Sequence, residues 1–191
     1  MNDDIGVLAF LSRASAEDHR EYLELLKTRF SVLVRDEPRL RGAAPLSILR
    51  LPIGKSVRSE AAALAAEIAA HELFFDSFSS KRAFCPALRR RFGSENGFLY
   101  EVLRAAKEAI SSREEFLTVG RDSRGEIVFS HGDALTAVTA FDPIFAIDLC
   151  EHAYFSDYKF DKEKYLLRAV SYLNLRKITD LPEGLASGGK I

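Results

Sequence analysis

Cysteine is scarce in this 191-residue chain: Cys85 and Cys150 are its whole complement. Two thiols cannot build a disulfide framework, and a reducing cytoplasm is the expected home. An excess of either charge is also missing, with 27 Lys and Arg against 28 Asp and Glu. The net charge of -1 leaves no basic surface for nucleic acid. Long apolar runs are absent too. The alanine-rich stretch 61–75 is interrupted by Glu67 and His71, which excludes a membrane span there. Residues 1–6 carry two aspartates and no basic residue, unlike a secretory signal. Neither an internal repeat nor a low-complexity linker occurs. What is present is a 47% apolar content, enough for one domain or two small layers sharing a core.

The apolar spacing changes along the chain. Tyr22, Leu23, Leu26, Phe30 and Leu33 keep helical spacing, with Ser15 as cap and Glu17 and Asp18 in the first turn, predicting a helix over 15–35. Pro38 and Pro45 mark a loop. Ser59 is placed to cap a second long helix to Phe78, whose alanines permit close packing. Pro86 opens a short helix over 87–92, and Ser94 caps another over 95–110. Then the period shortens: 116–121 and 126–130 flank Asp122-Ser-Arg-Gly125, a hairpin signal. A third strand over 143–148 follows, and Asp161 caps a last helix over 162–175. The tail, with Pro182 and glycines at 184, 188 and 189, is expected to fray.

Helices, then a small antiparallel sheet, then helices predict an α+β protein. The expected division is an N-terminal helical domain over 1–80 and a C-terminal α/β domain with a three-stranded sheet over 81–191. Phe74, Phe75, Phe78, Phe84 and Phe92 are core candidates, and the basic run Arg89-Arg-Arg91 belongs on a solvated helix face.

The stretch with most chemistry is Asp148-Leu-Cys-Glu-His-Ala-Tyr154. A strand running into a helix there lets Asp148 and His152 converge on one point, as an oxygen/nitrogen metal site requires. The stretch resembles the Asp-x-Trp-Glu-His-Ala-Tyr signature of iron/manganese superoxide dismutases, with Cys150 in place of the tryptophan. Ala-Ala-His71-Glu-Leu-Phe-Phe75 is similar to that family's Asn-His-x-Phe-Tyr/Phe-Trp. The resemblance covers about 15–176 and implies the family's fold, a helical hairpin followed by a three-stranded α/β domain.

It also implies one iron or manganese per protomer, held by three histidines and an aspartate. His71, Asp148 and His152 match three of these ligands. The first-helix ligand is open. Aligning Ser15-Ala-Glu17 on the family's Ser-Ala-Glu puts Tyr22 at the ligand and Phe30 at the outer tyrosine. Aligning His19-x-x-Tyr22 on His-x-x-Tyr puts Ala14 there instead. Neither register supplies a histidine, although His19 lies one turn before Tyr22 on nearly the same face and would reach in from a shifted helix.

Around the ligands, the resemblance places Glu67 where iron enzymes hold the metal-bound solvent with glutamine. His131-Gly-Asp133 matches the Asn-Gln-Asp that carries this glutamine in manganese enzymes. Catalytic candidates are therefore Tyr22, Glu67 and His131, with Glu67 or Tyr22 as alternative fourth ligands; by residue type alone His131 is a polar strand end. Cys150 is either a thiolate near the metal or a small apolar filler. Glu151, His152 and Tyr154 match the family's dimer bridge, in which the glutamate reaches the partner's ligand histidine, implying a homodimer. The implied reaction is dismutation of superoxide to oxygen and hydrogen peroxide. The alternatives are a non-catalytic dimer that kept the fold for a structural or protein-binding role, and a different metal, such as zinc, or a peroxide-handling reaction at the same residues.

Overall fold

The computed structural model describes residues 6–81 and 85–179. Phe84 and the 180–191 tail, both assigned above, lie outside the described residues.

Helix α1 (Arg13–Asp36) opens on Ser12, whose Oγ accepts from Ser15 N at 3.2 Å. The cap is thus three residues earlier than Ser15, which lies inside the helix and is buried. Pro38 and Pro45 do not sit in an open loop. Each begins a short helical turn, Pro38–Leu40 and α2 (Pro45–Ile48), at the position where a fixed φ and a missing N–H cost nothing. Helix α3 (Lys55–Asp76) starts one turn before Ser59, after Gly54. Arg58 explains the early start: its guanidinium donates to the carbonyl of Ile53 at 2.8 Å and ties the preceding turn to the helix.

Helices α4 (Pro86–Phe92) and α5 (Glu95–Ser111) follow as the spacing predicts, with Ser94 accepting from Gly97 N at 2.9 Å. Arg89, Arg90 and Arg91 are exposed on α4. Phe74 and Phe78 are buried and Phe75 and Phe92 pack against the same core, as expected of them.

The sheet consists of β1 (Phe116–Arg121), β2 (Ile127–Gly132) and β3 (Asp142–Asp148), antiparallel in the order β2-β1-β3. Asp122 Oδ1 accepts from Arg124 N and Glu126 N, both at 2.9 Å, and Gly125 takes φ +78 to close the hairpin. An unforeseen helix, α6 (Ala134–Thr139), is inserted between β2 and β3 and capped by Asp133. Six residues are too few for an apolar period to declare itself. Helix α7 (Glu151–Tyr158) follows β3, and α8 (Lys162–Ser171) is capped by Asp161 as expected. It ends four residues before Leu175, because the chain turns to pair with the end of α3: Ser79 N donates to Tyr172 O, and Asn174 N to Ser77 O. A last turn, α9, covers Arg176–Thr179.

Alternation gives the sheet two buried faces. Leu117, Val119, Phe145 and Ile147 meet Phe98, Val102 and Ala106 of α5 and Leu166 and Val170 of α8. Phe116 and Ala146 face the other way, against Ala66 and Ala70 of α3 and Ala134 and Ala137 of α6. Alanine at these contacts lets helix and sheet approach closely. Ser77 locks the approach, donating to Leu73 O at 2.6 Å and accepting from Ala146 N at 2.8 Å. The result is an α+β fold of the iron/manganese superoxide dismutase type.

Candidate metal centre

Asp148 is the last residue of β3 and lies opposite Phe116 in the ladder, so it faces α3. Burial is complete, yet every lone pair has a direction to serve. Oδ1 accepts from Cys150 N at 2.8 Å, and the main-chain oxygen accepts from Tyr165 O–H at 2.6 Å. Oδ2 is left pointing at a group of imidazoles. His152 Nε2 stands 2.9 Å from it, His19 Nε2 3.2 Å and His71 Nε2 3.4 Å.

Three separate elements bring those rings together. His71 lies on the inner face of α3, beside Ala70, and its Nδ1 donates to the Glu67 carbonyl at 2.7 Å. This bond fixes the tautomer and turns Nε2 toward Asp148. His152 is in the first turn of α7, four residues beyond Asp148. His19 comes from α1, held between Phe74 and Phe75 at ring-centroid distances of 4.7 and 5.2 Å. The four donor atoms lie within 4.8 Å of one another, the one such group among the described residues.

The electrostatics follow from this crowding. Burial pushes the Asp148 carboxyl up, but the three imidazoles outweigh it and hold the group well below the ordinary carboxylate range. Burial pushes the His71 ring down, and its bond to Asp148 reverses the direction and raises it. For His19 burial prevails and the ring is kept toward its neutral form. Neither nitrogen of His19 has a hydrogen-bond partner, although the side chain is only 1% exposed. A buried, neutral imidazole with its Nε2 aimed among an aspartate and two further imidazoles has the donor geometry of a first-row divalent metal site. These residues fit iron or manganese.

The first-helix register is therefore corrected. His19, and neither Tyr22 nor Ala14, meets Asp148. The seven-residue count from Ser15-Ala-Glu17 failed because the helix is set about one turn further along than that alignment assumes. Tyr22 lies outside the four-donor group, its ring resting on His152 and His71 at centroid distances of 4.7 and 5.2 Å. A signal for His19 existed: it is the one histidine among the chain's four that falls on the first helix.

Three other assignments change. His131 lies opposite Leu117, so it faces the α5 side of the sheet, away from Asp148, where Nδ1 stands 3.7 Å from Glu114 Oε1. Tyr154 is 1% exposed and stacks on Tyr165 of its own chain at 5.1 Å, which removes it from any bridge to a partner. Cys150 lies beyond the strand as the residue preceding α7, with Sγ 3.9 Å from Glu115 O. Burial, aided by the charges of Asp148 and Glu115, pushes its thiol far up, so it stays protonated and resembles an apolar filler.

Glu67 is near the centre without entering it. Its carboxylate is 3.6 Å from His71 Nδ1, the nitrogen that faces away from Asp148. Replacing it, Glu67→Gln, should leave metal content within about twofold of wild type, since outer partners rather than donors change. A protein that no longer retains metal would instead make Glu67 a ligand; elemental analysis decides.

Residues 80–181 match the C-terminal domain of iron/manganese superoxide dismutases. The chain belongs to the iron/manganese superoxide dismutase family. Superoxide dismutase [Fe] 2, chloroplastic, of Oryza sativa is 29% identical over 116 residues, covering 57% of this chain and 46% of the relative. Superoxide dismutase [Fe] 3, chloroplastic, of Arabidopsis thaliana is 27% identical over 116 residues, covering 57% and 44%. Superoxide dismutase [Fe] of Helicobacter pylori is 27% identical over 116 residues, covering 58% and 54%. The chain spans about half the length of the curated relatives it matches. Asp148 and His152 of this superoxide dismutase family member fall inside the domain match; His19 and His71 precede it and join them only in space.

Proposed function

We propose that this protein holds one iron or manganese ion per protomer through His19, His71, Asp148 and His152 and dismutates superoxide. The observation that carries the reading is His19 Nε2, buried, without a hydrogen-bond partner and 3.2 Å from Asp148 Oδ2. An unsatisfied buried polar atom costs about 1–3 kcal/mol, and a bound cation would remove that cost. The ion supplies a one-electron couple that can oxidise one superoxide to oxygen and reduce a second, with two protons, to hydrogen peroxide.

The chain's residues do the rest. Asp148 offsets the cation's charge, and its Cys150 and Tyr165 bonds fix the carboxylate so that Oδ2 is the free oxygen. The Glu67 carbonyl holds His71 in the tautomer that presents Nε2. Phe74, Phe75 and Phe116 exclude water from the buried side. Burial, with the charge of Glu67 nearby, raises the Tyr22 hydroxyl, which thus keeps its proton beside the rings. Burial likewise raises Glu67, favouring its neutral form.

The same reading includes a homodimer. Glu151 and His152 are both exposed at the start of α7, where a second copy would meet them. Free cysteines suit a reducing compartment such as the cytoplasm, and no described helix is long and apolar enough to cross a membrane.

Elemental analysis of protein purified without chelator, with a superoxide assay on the same sample, tests the proposal. Iron or manganese near one per protomer and dismutation that chelation abolishes are expected. Metal-free protein that also refuses both ions on reconstitution would sink the reading and favour the non-catalytic dimer.

A further inference from the structure

The cluster is closed on nearly every side. His19, His71 and Asp148 are at most 1% exposed. Phe74 and Phe75 cover His19, and Phe116 stands edge-on to His71 at 5.5 Å. The Tyr165 hydroxyl bonds Asp148 from behind. Solvent reaches the group along one border, where the His152 side chain is 36% exposed and the Glu67 side chain 28%.

Tyr22 lies on that border. It is half-buried, and it covers both rings whose Nε2 atoms approach each other to 3.3 Å. Its ring is tilted 37° to His152 and 55° to His71, so it overlies the gap between them instead of stacking on either. The backbone beneath it is anchored: Leu23 and Leu26 are buried, Ser12 caps the helix, and Asp157 accepts from Ser12 N at 2.7 Å. An aromatic side chain with two torsions on an anchored helix makes a rigid wall.

We propose that the Tyr22 ring is the wall that limits access to the donor cluster to solutes of two or three heavy atoms. The inference rests on the reading of the four donors as the working centre. It concerns the ring and not the hydroxyl. Tyr22 is thus a positioning residue: it shapes the approach to His152 without donating to the centre.

The test uses tyrosine, phenylalanine, leucine and alanine at position 22 of the full chain, each checked for folding by circular dichroism. The metal-free proteins are treated with diethyl pyrocarbonate, and carbethoxylation of His152 is timed by peptide mass spectrometry. Tyr22→Ala should accelerate His152 labelling roughly fivefold or more, while Tyr22→Phe stays within about twofold of wild type, because the ring alone closes the border. In iron-loaded protein, removal of the ion by EDTA should quicken about tenfold in Tyr22→Ala and not in Tyr22→Phe. Should the alanine variant fail to fold, Tyr22→Leu replaces it, with labelling between those of alanine and phenylalanine. Equal labelling of His152 in the wild type and the ring-deleted variants would overturn the proposal. The metal-free arm also separates the two readings. Faster labelling in protein that refuses iron would leave the wall standing and remove the dismutase; unchanged labelling in protein that loads iron would do the reverse.

Discussion

Asp148→Asn should lose the metal and weaken the metal-free fold in one step. The substitution keeps shape and leaves Oδ1 able to accept from Cys150 N, but it removes the charge that three imidazoles share. Metal content should fall below about one tenth of wild type, since the anionic donor is lost outright and even outer partners are worth 10–100-fold. In the metal-free protein, breaking a buried charged group from its partners should cost about 3 kcal/mol of unfolding free energy. The pH dependence has a definite sign. The folded carboxyl is held well below its ordinary 3.8, so its contribution is complete above that pH and is lost as pH falls through the folded value. Chemical denaturation of metal-free wild type from pH 6 down to about 3 should show this loss, and Asp148→Asn should lack it. Full metal retention by the asparagine variant would remove Asp148 from the centre.

His19→Leu should separate metal binding from stability. His19 sits against Phe74 and Phe75 with both ring nitrogens unpartnered, so leucine occupies an apolar slot of comparable size and discards two unsatisfied polar atoms. The metal-free variant should be as stable as wild type within about 1 kcal/mol, or more stable, because volume-conserving swaps are tolerated and the desolvation penalty disappears. Metal content should nevertheless fall by about tenfold or more, with dismutation falling alongside. Together the two variants form a diagnostic pair: both lose metal, and only Asp148→Asn unfolds more easily. A histidine kept for packing would give the opposite pattern, with His19→Leu destabilised and metal retained.

The reading of His19 shows why part of this centre was legible in sequence and part was not. Asp148 and His152 are four residues apart on one strand-to-helix junction, so local geometry suffices to bring them together. His71 sits on an alanine-rich helix face whose burial the composition announces. His19 has no such local mark. Its place depends on how far α1 slides along α3, and a shift of three residues along a helix returns almost the same face. Apolar spacing therefore looks equally satisfied with Tyr22 or His19 turned inward. The slide is decided by contacts remote in sequence, including the Asp157 carboxylate that accepts from Ser12 N at 2.7 Å.

His131 and Tyr154 failed for a related reason. Each matched a motif by order along the chain, while direction is set by pairing. The β1–β2 register puts His131 opposite Leu117 and so on the far face of the sheet. Tyr154 is drawn into its own core because Tyr165 of α8 offers a stacking surface 5.1 Å away. Helix α6 escaped notice because its six residues are shorter than two turns, and Asp133 as cap is visible only once Thr136 N is seen to meet it.

By itself, the sequence determined the helical and strand periods, the hairpin at Asp122 to Gly125, the caps at Ser94 and Asp161, and three of the four residues in the cluster. These depend on interactions within a few residues, where side-chain chemistry and backbone geometry leave few choices. Only the tertiary structure decided the fourth residue, the inward face of α1, the side of the sheet on which His131 lies and the ring that borders the site. Each of these is a choice among near-equivalent helical or strand positions. Packing between elements distant in the chain, and the cost of burying polar atoms without partners, makes that choice.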